Sequence, residues 1–488
     1  MMIRPEQKGR LMPGDKKHIV ILGGGPAGLG AASRLKRKTD LNVTLLEQQD
    51  RLGGNAGSFQ LDGVWVDYGS HRLHPACDPS VLEDIRTLLG DDLLDRPRHG
   101  RIRLKGRWIH FPLKPIDLVL RLPLSFSLGV ALDSLKKILL ISKDTDLVEN
   151  FASVMKKGLG DTITRDFYFP YALKIWGYPP EQLSAIQARR RVSAGSISKM
   201  ARKILNSIPG IKPPGSGRFF YPKRGFGQIS ESFARDAQAN GVEILLRARV
   251  ISIERRPDGR LLVHFDRDGL ADVLDADQVW STIPLTILAR CLLPGPPVEI
   301  LQAAGAIDFR AMILVYLVIG AGQFSDYDAH YFPEPEIPIT RLSETKNYSA
   351  SLDPAGRTVL CAELPCGTQD EYWQMNDDQL GQVVCKSLEE AGIPVLAPLI
   401  SIATRRLRNA YPVYLQGYET YFNQIDNWID HQEGILTFGR QGLFAHDNTH
   451  HALFMAYAAV DCLDGSGNFS RQKWESYRKI FEAHVVED

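Results

Sequence analysis

The sequence predicts an α/β fold with more than one domain. A length of 488 residues is roughly three times that of a typical domain, which indicates two or three domains. Near the amino end, a short apolar run, Ile19–Leu22, precedes a glycine-rich turn, a helix-like stretch and a second run, Val43–Glu47. Apolar runs of this length are typical of strands buried on both faces of a parallel sheet. This order of elements predicts a Rossmann-type unit.

Glycines in the first turn have the spacing G-x-G-x-x-G, at Gly23, Gly25 and Gly28. The first permits a tight turn, the second lets the backbone approach a pyrophosphate, and the third lets the helix pack closely on the strand. The helix that starts at Pro26 and Ala27 directs its positive end at the phosphates. We therefore expect a bound dinucleotide, with a purely structural turn as the alternative.

An acidic residue ends the second predicted strand. Glu47 lies nineteen residues after Gly28, where a carboxylate can bond to the ribose hydroxyls of an adenosine. Gln48 follows and is expected to contact the same nucleotide. Because NAD and FAD share this fingerprint, these residues alone do not distinguish the two cofactors.

Composition narrows the classes of function. The 58 Lys and Arg residues balance 57 Asp and Glu residues, for a net charge of +1, whereas nucleic-acid binding requires a concentrated basic excess. The six cysteines are scattered and none forms a Cys-x-x-Cys pair. This pattern predicts no disulfide framework, no metal site and a reduced, cytoplasmic compartment.

Two segments of the sequence bear on targeting and membrane contact. Residues 1–16 are charged and lack an apolar core, so we expect a flexible leader. The apolar region Ile116–Ser142 is interrupted by charges, and its longest charge-free run, Leu122–Leu132, is too short to span a bilayer. A partly buried helix pair is expected there, with peripheral contact at a membrane surface as the alternative.

A second glycine-rich turn after Glu47 distinguishes the cofactors. The run Arg51-Leu52-Gly53-Gly54-Asn55-Ala56 resembles the R-x-G-G segment of amine oxidase-like flavoproteins, which closes over the diphosphate and ribityl chain of FAD. The resemblance implies FAD rather than NAD. The cofactor-binding residues that it implies are Arg51, Gly53, Gly54, Asn55 and Ala56.

A histidine-containing loop makes the resemblance more specific. Gly69-Ser70-His71 and His74 resemble the G-x-H-x-x-H loop of UDP-galactopyranose mutases and their protoporphyrinogen oxidase-like relatives, which lies near the flavin ring. Histidine can bond to the flavin or shuttle a proton because its pKa is near neutrality. The resemblance implies catalytic roles for His71 and His74 and cofactor contacts at Gly69, Ser70 and His71. Surface histidines in a loop are the alternative.

The strand, turn and helix near residue 440 resemble the mutase branch in particular. Gly439-Arg440-x-Gly442 implies an arginine over the flavin and the substrate, so Gly439 and Arg440 are expected at the cofactor and Arg440 in catalysis. His446 stands where the mutases usually carry a tyrosine that grips the substrate diphosphate. The resemblance also implies that the returning strand brings Val250 to the cofactor.

Two helical segments carry candidate substrate residues. Phe169–Gly177 resembles the F-x-x-Y-x-x-K-x-W-G element of the mutases, which implies that Tyr171 and Trp176 form a nucleotide pocket. Packing within a helical domain is the alternative for both residues. Of the three arginines at 189–191, at most one is expected to enter a cleft, and Arg191 is the candidate.

Two further motifs imply substrate contacts. Thr340–Lys346 matches the T-R-x-x-E-x-K segment of the mutases, in which the arginine, here Arg341, binds substrate near the flavin. The planar guanidinium suits phosphate or sugar oxygens, and an ion pair between Arg341 and Glu344 is the alternative. Tyr411 begins a Y-P segment that resembles the mutases' phosphate-contacting tyrosine; core packing is its alternative.

The resemblance implies a discontinuous Rossmann-type FAD-binding domain and a mixed substrate domain with an antiparallel sheet and a helical insertion. The predicted FAD-binding segments are 17–115, 216–290 and 426–466. The helical insertion is placed at 116–215 and the substrate sheet at 291–425, and 467–488 is expected to be a flexible or peripheral tail.

The leading hypothesis is a flavoenzyme that resembles UDP-galactopyranose mutase and acts through flavin N5 on a nucleotide-linked or otherwise activated sugar. The alternative is an FAD-dependent oxidoreductase of the amine oxidase or protoporphyrinogen oxidase type; a binding protein without turnover is a third class. The expected partner is a small molecule, with a transient donor such as NAD(P)H left open. The chain is expected to be a monomer or a homodimer.

Overall fold

The computed structural model describes residues 16–111, 117, 120–139, 149–191 and 217–486. The predicted leader, residues 1–16, lies outside these residues except for Lys16. A five-stranded parallel sheet is built from separate stretches of the chain, and its spatial order is Ile435–Thr437, Gln278–Ser281, His18–Leu22, Asn42–Leu46 and Glu243–Leu245. Its central strands are buried because helices cover the sheet. This confirms the predicted α/β fold.

A seven-stranded mixed sheet forms the second layer of the molecule. Its spatial order is Leu399–Val413, Asp308–Ile319, Thr358–Cys366, Arg341–Glu344, Ala329–Tyr331, Gly100–Leu104 and Arg107–Phe111. All pairings are antiparallel except that of Ala329–Tyr331 with Gly100–Leu104. The hairpin at 100–111 therefore belongs to this sheet, although the sequence assigned it to the FAD-binding domain.

Three smaller strand groups complete the β-structure of the described residues. A four-stranded sheet contains Leu270–Ala276, Leu261–Arg267, Ala248–Arg255 and Leu292–Leu293. The two-stranded ribbons are Ser58–Leu61 with Val64–Asp67, and Leu93–Pro97 with Arg218–Pro222.

Helices of seven or more residues surround the sheets. They are Pro26–Lys38, Pro79–Leu89, Leu124–Leu139, Phe151–Leu159, Phe169–Trp176, Ala185–Arg191, Gln228–Ala239, Leu285–Cys291, Val298–Ala306, Asp377–Glu390, Tyr418–Asp430, Thr449–Asp461 and Arg471–Glu482. Within the described residues, no helix has both the length and the apolar composition needed to cross a bilayer.

The carboxyl end differs from the expected flexible or peripheral tail. Arg471–Glu482 is a helix, and its Trp474 and Phe481 side chains are 2% and 3% exposed within the core around the parallel sheet. The two aromatic side chains lie seven residues apart on one helix face, so their burial fixes the helix against the domain. The structure describes this segment as far as Val486.

A candidate cofactor and substrate cavity

One cavity of about 880 Å³ is bounded by the two glycine-rich turns, the end of the strand Asn42–Leu46 and the seven-stranded sheet. Ligand sites typically measure about 300–1,000 Å³. The predicted residues that line it are Gly23, Gly25, Pro26, Ala27, Glu47, Gln48, Arg51, Gly54, Asn55, Ala56, Ser70, His71, Arg341, Tyr411, Arg440 and His446. The predicted residues outside its lining are Gly28, Gly53, Gly69, His74, Tyr171, Trp176, Val250 and Gly439.

The first glycine turn leaves open space at the start of its helix. Gly23 has φ of +104°, which favours glycine, and its N–H donates to Leu46 O at 2.8 Å. A Cβ on Gly28 would lie 2.0 Å from Gly23 O, whereas a Cβ on Gly25 would have no neighbour within 4 Å. The helix Pro26–Lys38 begins beside this space, so its positive end faces the cavity.

Glu47 is held by the backbone of the turn. Its Oε2 accepts a hydrogen bond from Gly24 N at 2.6 Å and its Oε1 accepts one from Gln49 N at 2.8 Å. Burial raises the pKa of this carboxyl, and the backbone N–H groups act in the opposite direction. Both oxygens keep lone pairs, so the carboxylate can accept further bonds from hydroxyls in the cavity.

The second glycine turn packs on the first. Gly53 has φ of +94°, and its N–H donates to Gly24 O at 2.8 Å. Arg51 donates to Gly54 O at 2.8 Å, and its guanidinium lies over the Tyr68 ring at 3.5 Å from the ring centre. The two turns are thereby joined through their backbones and form one wall of the cavity.

The two predicted histidines occupy different environments. His71 lines the cavity, and its Nε2 lies 2.8 Å from Asn55 O and 3.0 Å from Tyr68 O. Because carbonyl oxygens only accept, Nε2 carries the proton and Nδ1 has the lone pair of the neutral ring. Burial lowers the pKa of His71, and the positive charge of Arg341 lowers it further. His74 instead accepts a bond from Ala76 N through Nδ1 at 3.1 Å.

Arg341 is paired with Glu363, not with Glu344. Arg341 Nε and Nη2 donate to Glu363 Oε1 at 3.0 and 2.8 Å, and Nη2 also donates to Oε2 at 2.9 Å. Glu363 Oε1 additionally accepts from Ser70 N at 2.7 Å. Glu344 accepts from Thr358 Oγ1 at 2.8 Å and from backbone amides instead. The expected alternative pairing with Glu344 is therefore wrong.

Arg440, Tyr411 and His446, three of the predicted site residues, lie next to one another in the cavity lining. Arg440 Nη2 donates to Ala410 O at 2.9 Å, and the guanidinium lies 5.3 Å from the centre of the Tyr411 ring. The Tyr411 and His446 rings are stacked with centres 6.3 Å apart. Gly439 has φ of +81°, and a Cβ there would lie 2.8 Å from Ala27 Cβ. This close approach holds the Arg440 turn against the first helix of the chain.

Tyr171 and Trp176 line a second, smaller cavity of about 140 Å³. Its wall is almost entirely aromatic and aliphatic, and Tyr331 lines both cavities. Trp176 is 3% exposed and contacts Phe151 and His446 edge-on. The two predicted residues are therefore close to the large cavity through Tyr331 and His446.

Arg190, rather than Arg189, turns inward among the consecutive arginines. Arg189 is exposed and pairs with Glu149. Arg190 lies over the Tyr414 ring, with Nη1 4.0 Å from Asp447 Oδ1. The side chain of Arg191, the predicted candidate, lies outside the described residues.

The carboxyl segment also reaches the cavity wall. Val486 is a lining residue, and its N–H donates to Arg190 O at 2.9 Å. Asp447, His451 and His484 each place one potential metal-ligand atom within 4.8 Å of the other two. The guanidinium of Arg190 lies beside the same carboxylate, where it opposes a cation.

Sequence reasoning missed most of the basic lining. The eight arginines among the lining residues are Arg51, Arg72, Arg98, Arg341, Arg405, Arg406, Arg408 and Arg440; the lining carboxylates are Glu47, Asp50 and Asp447. Arg405, Arg406 and Arg408 precede the predicted Y-P segment, and their clustering in the sequence indicates a basic surface beside it. Val250 lies in a strand of the four-stranded sheet, where it packs against an apolar core, and it is not among the residues that line the cavity.

Comparisons with known proteins agree with this architecture. The family model described as flavin containing amine oxidoreductase matches residues 26–456. Coproporphyrinogen III oxidase of Bacillus subtilis (strain 168) is 22% identical over 85% of this chain and 91% of its own length. Chloroplastic protoporphyrinogen oxidase of Nicotiana tabacum is 25% identical over 89% and 82%, respectively. The crystal structure of reduced UDP-galactopyranose mutase superposes with a TM-score of 0.77, at 22% identity, over 91% of this chain and 93% of that chain.

Proposed function

We propose that this chain, which belongs to the flavin-containing amine oxidoreductase family of FAD-dependent enzymes, acts on an anionic substrate. The proposed substrate is a nucleotide-linked or otherwise activated sugar. The observation that carries this proposal is the arginine-rich wall of the cavity, in which eight arginines face three lining carboxylates. Two of the arginines, Arg341 and Arg72, are also paired with Glu363 and Asp328 behind the wall, so a positive excess remains. A positive wall concentrates anions and repels the ammonium group of an amine substrate. An amine is therefore the substrate class that this site fits least.

The residues of the cavity fit FAD. The open backbone at Gly25 and the helix behind it suit the diphosphate, and the carboxylate of Glu47 suits a ribose. Arg51 and Asn55, on the second glycine-rich turn, suit the ribityl chain that joins the diphosphate of FAD to its flavin ring. When bound, FAD supplies a ring that accepts or donates an electron pair at N5.

Arg341 is the proposed substrate-binding cation. Its Nε and Nη2 groups are engaged by Glu363, so its Nη1 edge is the part available to phosphate or sugar oxygens. The bidentate pair orients the guanidinium before substrate arrives, which reduces the entropy lost on binding. Arg440 supports the same anion from the neighbouring turn.

His71 is the proposed proton acceptor. Its lowered pKa keeps the ring neutral at pH 7, with a lone pair on Nδ1. The two carbonyl bonds to Nε2 fix the tautomer and the ring plane. Tyr171 and Trp176, in the smaller aromatic cavity, are the proposed stacking surface for a nucleotide base.

A second candidate function is net oxidation of an anionic organic substrate. It is favoured by relatives named coproporphyrinogen III oxidase and protoporphyrinogen oxidase, which align with 85% and 89% of this chain. His446 also favours it, because a histidine replaces the tyrosine that the mutase resemblance implies. The arginine-rich wall would bind carboxylates as well as phosphates.

Turnover distinguishes the two functions. The dithionite-reduced holoprotein is incubated under nitrogen with UDP- and dTDP-linked hexoses, and the products are separated by chromatography. Ring isomers formed by the reduced protein and not by the oxidised protein would support the sugar-nucleotide proposal. Loss of flavin absorbance when a porphyrinogen is added to oxidised protein without reductant, together with no sugar product, would refute it in favour of the second function.

A further inference from the structure

The helix Leu124–Leu139 presents a row of leucines to the outside of the molecule. Leu124, Leu128, Leu132 and Leu135 are 75%, 62%, 57% and 53% exposed. Their spacing of four, four and three residues places them on one face of the helix. Leu120, which precedes the helix and is separated from it by residues 121–123, is also 71% exposed. We call these five residues the leucine face.

The opposite side of the helix is anchored, so the leucine face cannot rotate inward. Phe126 is 3% exposed within an apolar cluster formed with the strands at 100–111. Gly129 approaches Thr162 so closely that a Cβ would lie 2.6 Å from its Oγ1. Asp133 Oδ2 accepts a bond from Thr162 N at 2.7 Å. A turn of the helix about its axis would break all three contacts.

The exposed charges within residues 120–136 have one sign. Among the exposed residues of 120–136, the charged side chains are Arg121 and Lys136, one at each end of the row. Asp133 faces inward to Thr162, and Asp117 is 2% exposed and pairs with His110 and Arg121. An apolar row between two cations is complementary to a surface with anionic headgroups and an apolar interior.

We propose that the leucine face docks the protein on the surface of an anionic phospholipid bilayer. The helix lies in the plane of the interface, with the leucines among the acyl chains and Arg121 and Lys136 at the phosphates. A second copy of the chain fits less well. A stable interface needs about 800 Å² from each partner, and this row is one helix wide. Antiparallel packing of two such helices would also bring Arg121 of each beside Lys136 of the other.

Vesicle sedimentation tests the proposal on the intact holoprotein. Vesicles of phosphatidylcholine alone are compared with vesicles that also contain phosphatidylglycerol. The test variant is Leu128→Gln with Leu132→Gln. The matched control is Leu352→Gln with Leu396→Gln, two leucines that are 85% and 91% exposed elsewhere on the surface. Flavin absorbance verifies that each variant is folded.

We expect the wild type and the control to sediment with the anionic vesicles and less with phosphatidylcholine alone. The Leu128/Leu132 variant should partition at least about tenfold more weakly, because each buried leucine contributes strongly to transfer into lipid. Equal sedimentation of this variant and the wild type would overturn the proposal. So would equal binding to both vesicle types, no binding to either, or a wild-type dimer that the two glutamines dissociate without lipid.

Discussion

Glu363 lies directly opposite Arg341 on neighbouring antiparallel strands, where side chains on one face are about 5 Å apart. This register, rather than proximity in sequence, creates the ion pair. Glu363 is 3% exposed and also accepts from Ser70 N, so it joins Arg341, the proposed substrate-binding arginine, to the histidine loop. We therefore propose that Glu363 is a positioning residue for Arg341.

The variant Glu363→Gln should therefore retain FAD and lose turnover. Without the bidentate carboxylate, the guanidinium is no longer held in one orientation, and misplacement of about 1 Å can lower a rate about 100-fold. Steady-state kinetics and the flavin spectrum measure both properties. Glu334→Gln removes a different arginine partner, that of Arg103, and serves as the control. Wild-type kinetics in Glu363→Gln would contradict the positioning role.

His71 gives the site a defined response to pH. Because the folded protein lowers its pKa below the ordinary value of 6.5, the ring protonates only in acid, and activity should fall there as the Nδ1 lone pair is lost. The unfolded chain binds the proton first, so the unfolding free energy should also decrease as pH falls below about 6.5. His71→Asn should remove the acid decrease from both the activity–pH profile and the stability–pH profile, and it should lower the rate about 100-fold. His264→Asn, at a half-exposed strand position outside the cavity lining, is the control. An unchanged acid limb in His71→Asn would contradict the assignment.

At the scale of elements, the two glycine turns were predictable because their signals are local. Spacing of three glycines and an acidic residue after a second strand specifies the turn, the helix and the ribose position within about 30 residues. Arg72, Glu363 and the arginines at 405–408 were not identified as site residues. Glu363 and the arginines at 405–408 lie on strands of the sheet that joins residues 100 to 413, so the register of that sheet sets their distance from the site, and a single sequence does not specify that register. Arg72 lines the cavity from the loop that carries His71.

The first turn makes a prediction that separates cofactor binding from folding. Gly25→Ala should fold, because its Cβ would have no protein neighbour within 4 Å, but FAD affinity should fall at least about tenfold as the methyl occupies the diphosphate approach. Gly28→Ala should instead destabilise the protein itself, because its Cβ would lie 2.0 Å from Gly23 O. Thermal unfolding of the apoproteins and FAD titration measure the two effects. Unchanged FAD affinity in Gly25→Ala would contradict the placement of the diphosphate.

At the scale of the whole molecule, the carboxyl helix closes the FAD-binding domain. Trp474 and Phe481 sit in the same core as the strand His18–Leu22 and the helix Thr449–Asp461. The sequence prediction for 467–488 is a flexible or peripheral tail, whereas the seven-residue spacing of Trp474 and Phe481 is typical of a helix packed along one face. Its last described residues then reach Arg190 and the cavity wall.

Removal of the Trp474 ring should accordingly destabilise the domain and not a tail alone. Trp474→Ala is expected to lower the unfolding free energy by about 3–5 kcal/mol, the usual cost of a large cavity in a core. Chemical denaturation, monitored through the release of flavin, measures this change in unfolding free energy. Lys479→Ala, on the exposed side of the same helix, should change it by less than about 0.5 kcal/mol. A similar small change in Trp474→Ala would show that the helix is peripheral.

The proposed function depends on an anionic substrate, so the binding of an anion is compared with the binding of a cation. The reduced holoprotein is titrated under nitrogen with UDP and, separately, with putrescine, while flavin fluorescence is recorded at low and high salt. We predict saturable binding of UDP that weakens with salt and is lost in Arg341→Ala, with no saturable response to putrescine. Saturable binding of putrescine without a response to UDP would contradict the anionic site and the function proposed from it.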